Sequence, residues 1–176
     1  DPGVGTARPP VAMEADRRWF VGPGNGLFEL VARRAETCRV HRIAWQPDTL
    51  SASFHGRDLF APVAARLATD GDLPDRWLAP ADEPVPGADW PDDLAEVIYI
   101  DRFGNLMTGL RANELNPNTT LEIEGWNIRH APTFGAATAG TPFWYCNSSG
   151  LAEIAMPDAN AAAFLDAGIG TSSVAV

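Results

Sequence analysis

Lysine is missing from this chain, and all 13 of its basic residues are arginine. That absence removes Schiff-base chemistry and the phosphate-gripping lysine of a P-loop. Cysteine is nearly missing too: Cys38 and Cys146 lie far apart with no paired spacing. Neither a disulfide framework nor a zinc knuckle is indicated, and a reducing, cytoplasmic setting is expected. Of the three histidines, His41 and His130 are not set in a repeated pattern of ligand residues, so no metal is expected. No apolar run approaches the length of a bilayer span and no charged-then-apolar leader opens the chain, so neither a membrane protein nor an intact secretory precursor is expected. Positive charge is short overall, with 23 acidic against 13 basic residues and a net charge of -10. Nucleic acid is therefore not the expected partner, because phosphate backbones call for clustered positive charge. A small cationic substrate fits better.

What is present suffices for one domain or two small ones, since 45% of the 176 residues are hydrophobic. "RRWFV" at 17–21 reads as a short strand, "GPGNG" at 22–26 as a turn, and "LFELVARRA" at 27–35 as a short helix. "VHRIAW" is a plausible strand, and "DLFAPVAARLA" a helix for which Asp58 can serve as N-cap. Helices and strands alternate, so the first part, 1–78, looks like α/β. Residues 79–94 gather prolines and acids in "APADEPVPGADWPDD", which is a linker by composition. Beyond it the character changes. "EVIYID", "TTLEIEG", "WNIRH", "PFWYCN" and "LAEIAM" are short β-branched and aromatic segments separated by Gly, Asn and Pro, which predicts a small all-β barrel over 95–176 with one helix near 159–166. The opening "DPGVGT" is a glycine-rich turn of the kind that normally follows a strand, so the chain is expected to belong to a longer protein.

Asp1, Arg8 and His55 are the candidates for acid/base work. Histidine moves protons near neutral pH, a carboxylate can orient it or share the proton, and an arginine keeps that carboxylate ionised. The ordinary alternative for a lone histidine ahead of a helix is a satisfied structural hydrogen bond. "DRFGN" at 101–105 and "CNSSG" at 146–150 could each present polar side chains to a ligand, or could be plain turns, since Gly and Asn favour positive φ. "GPGNG" lacks the third glycine and the βαβ context of a dinucleotide site, which removes that reading.

"DPGVGTAR", "GPGNGLF", "SASFHGRDLFAPVAARLA", "VIYIDRFGNLMTG" and "NSSGLAEIA" occur together and in this order. The set resembles the S-adenosyl-L-methionine (SAM) hydroxide adenosyltransferase family, adenosine-forming SAM hydrolases related to the fluorinase and chlorinase enzymes. The resemblance implies an N-terminal α/β domain, partial here, joined to a C-terminal β-barrel, in a homotrimer with active sites between subunits. It implies hydrolysis of SAM to adenosine and methionine, with SAM as substrate and no cofactor. Asp1, Arg8 and His55 would surround the attacking water, and Arg57 and Asp58 would fix the loop beside them. Phe54 would line the pocket near the reacting carbon, Asp101 would meet the methionine ammonium, and Ser148 and Ser149 would meet its amino-acid end. Asn105 would pair with the adenine edge, and Phe103 and Phe134 would pack on the adenine ring.

Three departures accompany the resemblance. The family's N-terminal segment, with an early ribose-binding aspartate, is not in the sequence and is expected on a longer or separate chain. Gly24 stands where the family usually has an acid, and "MPDAN" at 156–160 replaces an Asn-Gly-Asn type loop. Two other functions compete: a halogenase using chloride or fluoride, and a non-catalytic SAM or adenosine binder. Gly56 stands where halide binders of the superfamily use a serine, which favours water.

Overall fold

The computed structural model describes residues 1–81 and 86–176. They form two compact units, Asp1–Trp90 and Pro91–Val176. Among the described residues no helix is long and apolar enough to cross a membrane.

The first unit is built on a four-stranded sheet. β1 (Pro10–Ala15) and β2 (Arg18–Pro23) make a hairpin whose turn residues Asp16 and Arg17 both have positive φ, 47° and 64°, as a two-residue turn matched to strand twist requires. β3 (Cys38–Ile43) follows α1 (Glu29–Arg34) and pairs with β1, and β4 (Leu78–Pro80) pairs with β3. The order is β2-β1-β3-β4 and every pairing is antiparallel. Sequence pattern did not mark β1, because "PVAMEA" contains weak strand formers. Its period-2 alternation still sorts it: Ala12 joins a core with Ile43, Leu59, Phe60, Val63 and Leu67, while Val11 and Met13 bury themselves on the opposite face.

α2 (Ala61–Asp70) covers the first of these faces with Val63 and Leu67 and ends at Gly71, whose φ of 79° suits a helix C-terminus. The expectation that Asp58 caps this helix is corrected. The coil starts earlier, as a π turn over Gly56–Phe60, and the Asp58 carboxylate instead accepts the Ser51 backbone N–H at 3.1 Å. Of the proline-rich stretch 79–94, residues 82–85 lie outside the described residues. Its later part is held by Arg33, which donates to the carbonyls of Gly87, Ala88 and Trp90.

The second unit holds a seven-stranded mixed sheet nearly closed into a barrel. Its strands are β5 (Leu94–Ile100), β6 (Leu106–Arg111), β7 (Leu121–Ile123), β8 (Trp126–His130), β9 (Phe143–Cys146), β10 (Leu151–Ala155) and β11 (Val174–Ala175). They run in the order β11-β7-β8-β9-β10-β6-β5, with only β8 and β9 parallel. Residues just ahead of β11 then bond to β5, Gly170 N–H to Val97 O at 2.8 Å and Ser173 N–H to Ala95 O at 2.8 Å. That contact joins the two ends of the strand order. Trp144, Leu121, Ile123, Ile128, Ile154 and Val97 fill the interior, and α3 (Ala161–Leu165) is capped by Asn160, whose Oδ1 accepts the Ala163 N–H at 2.7 Å.

β6 escaped the pattern because Gly109 interrupts it, and glycine usually weakens a strand. Here it is required: a Cβ at Gly109 would stand 2.6 Å from the Leu94 carbonyl oxygen on β5.

Candidate active site

Asp1, Arg8 and His55 meet in the first unit. Arg8 Nη2 donates to Asp1 Oδ2 at 2.6 Å and lies 3.3 Å from His55 Nδ1. The nitrogen has two hydrogens, and both are thereby used. Since a guanidinium only donates, His55 Nδ1 must accept, so the neutral ring carries its hydrogen on Nε2. The Arg8 side chain is 7% exposed and lies 5.2 Å from the Phe60 ring centroid, a cation–π contact. Burial lowers its pKa, yet an arginine stays charged. Its Nε and Nη1 are buried with no hydrogen-bond partner among the described residues.

Two loops bring these groups together. In residues 1–8, the Thr6 hydroxyl donates to Gly3 O at 2.7 Å and its oxygen accepts the Arg8 N–H at 3.3 Å. Asn25, in the "GPGNG" turn, donates to Pro2 O at 3.0 Å and so anchors the residue beside Asp1. Gly5, at φ 74°, faces Ala52 so closely that a Cβ would stand 3.0 Å from its carbonyl oxygen. The second loop, 51–56, carries His55 and is braced by Asp58. Arg57 Nε donates to Asp58 Oδ1 at 2.6 Å, and that bond, with the one from Ser51 N–H, holds the Asp58 carboxyl below its ordinary range. Phe54 is exposed with Arg57 over its ring at 4.8 Å, and Gly56 faces open space.

The remaining candidates lie in the second unit. Asp101 organises its own loop: Oδ1 accepts the N–H groups of Phe103 at 2.8 Å and Asn105 at 2.9 Å, and Oδ2 accepts the Asn105 side-chain amide at 3.0 Å. Asn105 is buried, and this bond leaves its Oδ1 and one amide hydrogen for other partners. Phe103 is exposed, with Arg102 over its ring at 4.6 Å. Phe134 is half-exposed and meets Phe143 and Tyr145 edge-on, with centroids 5.1 and 5.6 Å apart. Ser148 and Ser149 sit exposed in the turn between β9 and β10.

Sequence reasoning had missed Asn25, Phe60, Tyr145, Asn147 and Glu153. Only the two asparagines had a local signal, each lying in a Gly-flanked turn. Among the described residues no group of three or more His, Cys, Asp or Glu side chains could hold a metal ion.

Residues 1–76 match the SAM hydroxide adenosyltransferase N-terminal domain, and residues 95–174 match the SAM hydroxide adenosyltransferase C-terminal domain. The (R)-S-adenosyl-L-methionine hydrolase of Salinispora tropica is 37% identical over 180 residues, which cover 94% of this chain and 68% of that protein. A protein of the same name from Thermus thermophilus is 39% identical over 176 residues, 89% of this chain and 65% of its own length. The chain thus spans about two thirds of these relatives. Among solved structures, an uncharacterized conserved protein from Thermotoga maritima superposes on the whole chain and 74% of its own, with a TM-score of 0.79 at 26% identity. A conserved hypothetical protein from Thermus thermophilus gives a TM-score of 0.66 at 34% identity, covering the whole chain and 71% of that one.

Proposed function

This chain belongs to the SAM hydroxide adenosyltransferase family, and on that premise we propose that its site hydrolyses S-adenosyl-L-methionine, water attacking ribose C5′ to give adenosine and L-methionine. Relatives named (R)-S-adenosyl-L-methionine hydrolase support the reaction. The observation that carries it is the single Arg8 nitrogen shared by Asp1 and His55.

The chemistry asks little of an acid. As the C5′–S bond breaks, its electron pair stays on sulfur and neutralises the sulfonium, so methionine leaves as a thioether. The C5′–O bond forms from a water lone pair, and one proton must depart. What water needs is orientation, partial desolvation and a proton acceptor. His55, with Nδ1 filled by Arg8, offers Nε2–H to hold the water oxygen. Asp1 Oδ1 makes no hydrogen bond among the described residues and takes the proton. Arg8 holds the other oxygen of Asp1 and so fixes the carboxylate in place.

In the same proposal Phe54 and Gly56 border the reacting carbon, Asp101 meets the methionine ammonium, and Ser148 and Ser149 meet its amino-acid end. Asn105 pairs with adenine through the polar atoms that Asp101 leaves open, and Phe103 and Phe134 pack on the adenine ring. The first unit is then the C-terminal part of an α/β domain over 1–78, joined through 79–94 to the barrel over 95–176. The homotrimer with shared sites rests on the family likeness, and Ile98, Tyr99 and Trp126, exposed on the second unit, are apolar surface that such an assembly could cover. The reading concerns the site these residues contribute and calls for no cofactor.

A halogenase would need a halide-binding hydroxyl that Gly56 does not supply. The deciding experiment incubates the protein with SAM in heavy-oxygen water, with and without chloride or fluoride, and identifies the nucleoside by mass. Adenosine carrying the heavy oxygen is expected in every sample. A halogenated nucleoside, or bound but unconverted SAM, would overturn the hydrolase reading.

A further inference from the structure

The turn between β9 and β10 is braced by a buried acid, held by neutral partners. Glu153 is 7% exposed and makes no ion pair among the described residues. Its oxygens are divided between two neighbours: Oε1 accepts the Tyr145 hydroxyl at 2.6 Å, and Oε2 accepts the Asn147 side-chain amide at 2.9 Å. Tyr145 is its direct cross-strand partner, so strand register brings the first pair together. Burial, then the bond to Glu153, pushes the Tyr145 hydroxyl far above its usual range, and it remains a donor.

Asn147 passes the constraint into the turn. Its Oδ1 accepts the backbone N–H of Ser149 at 2.9 Å and of Leu151 at 3.0 Å, and its own carbonyl accepts the Gly150 N–H at 3.0 Å. A carboxylate can only accept, so Glu153 selects which end of the Asn147 amide faces it. The oxygen end is thereby turned toward Ser149. Reversing the amide would set two N–H donors against the backbone donors of Ser149 and Leu151, and the turn would lose both bonds.

We infer that Glu153 is a positioning residue that acts through Asn147 to hold the Ser148–Ser149 turn in the shape that receives the amino-acid end of the substrate. The inference rests on the hydrolase reading above and adds a residue that touches no substrate itself. A buried carboxylate is costly where a neutral link between strands would serve. Its acceptor-only character, which fixes the amide of Asn147, is the property a neutral residue lacks.

The test compares Glu153→Ala, Asn147→Ala and Glu153→Gln with the unaltered protein. Calorimetry measures L-methionine and adenosine separately, steady-state assays give KM and kcat for SAM, and a melting curve accompanies each variant. Loss of charge-assisted hydrogen bonding should weaken methionine about tenfold in both alanine variants while adenosine stays within about twofold. KM should rise more than kcat falls, and Glu153→Gln, whose amide can turn either its oxygen or its nitrogen toward Asn147, should recover only part of the methionine affinity and fall between Glu153→Ala and the unaltered protein. Equal weakening of both ligands, or unchanged methionine affinity, overturns the inference and leaves the hydrolase reading standing. Unaltered protein that neither binds these ligands nor converts SAM overturns both. Should Glu153→Ala fail to fold, Asn147→Ala on its exposed turn carries the same comparison.

Discussion

Arg8 Nη2 stands 3.3 Å from His55 Nδ1 although 47 residues separate them in the chain. The same nitrogen holds Asp1 at 2.6 Å, so one guanidinium end ties these three residues together. Removing any of them disturbs the other two.

His55→Ala should lower kcat by about a hundredfold, as expected for losing the group that orients the attacking water, and leave KM for SAM nearly unchanged. Arg8→Ala should do the same. Because the pair works as a unit, the double variant should be little worse than the poorer single one. Steady-state kinetics on all three decide the matter, and multiplying losses would mean that the two act independently.

The loop carrying His55 should depend on pH through Asp58. Its carboxyl is held below the ordinary range first by the Arg57 side chain and then by the Ser51 N–H. A depressed folded pKa contributes stability above the unfolded value, about 4, and that contribution is lost as pH falls through the folded value. The melting-temperature gap between the unaltered protein and Asp58→Asn should therefore hold steady from neutral pH to about pH 5 and close below about pH 4. A gap that does not change across this window would remove Asp58 as the brace.

Asp101→Asn should raise KM for SAM about tenfold, as expected for losing a charged hydrogen bond, with a smaller effect on kcat. Asparagine can keep an acceptor for the N–H groups of Phe103 and Asn105, which separates the missing charge from loop collapse. Melting curves should confirm that the loop survives. If KM holds and kcat falls, Asp101 belongs with the reacting centre instead.

Gly104→Ala should destabilise the second unit by more than about 1 kcal/mol. The residue sits at φ 86°, and a Cβ there would fall 2.1 Å from the Asn160 side chain, the cap of α3. Denaturant midpoints measure the cost. A variant as stable as the parent would show that the α3 cap yields freely.

Much of the strand pattern was legible. "EVIYID", "WNIRH" and "PFWYCN" became β5, β8 and β9 because alternating β-branched and aromatic residues fit a half-buried pleat. β1 and β6 were not, because Met13 and Glu14 are weak strand formers and Gly109 is a strand weakener, and each is held by its neighbours' packing. Asp58 looked like a helix cap, the common use of an aspartate there. Backbone bonds that start the coil at Phe54 left its carboxylate for Ser51.

Asp1, Arg8 and His55 were singled out by residue type and by an ordered set of motifs. No spacing rule says that residues 1, 8 and 55 touch. That was decided by two loops closing on each other at Gly5 and Ala52. Glu153 was not marked as a site residue: it lies inside "NSSGLAEIA", where "LAEIA" reads as a strand with one polar residue, and the tertiary structure buries it opposite Tyr145. By itself the sequence determined residue chemistry, local periodicity and family likeness, because those depend on side chains a few positions apart. Which nitrogen meets which oxygen depends on register and loop closure across the chain, and only the tertiary structure could decide it.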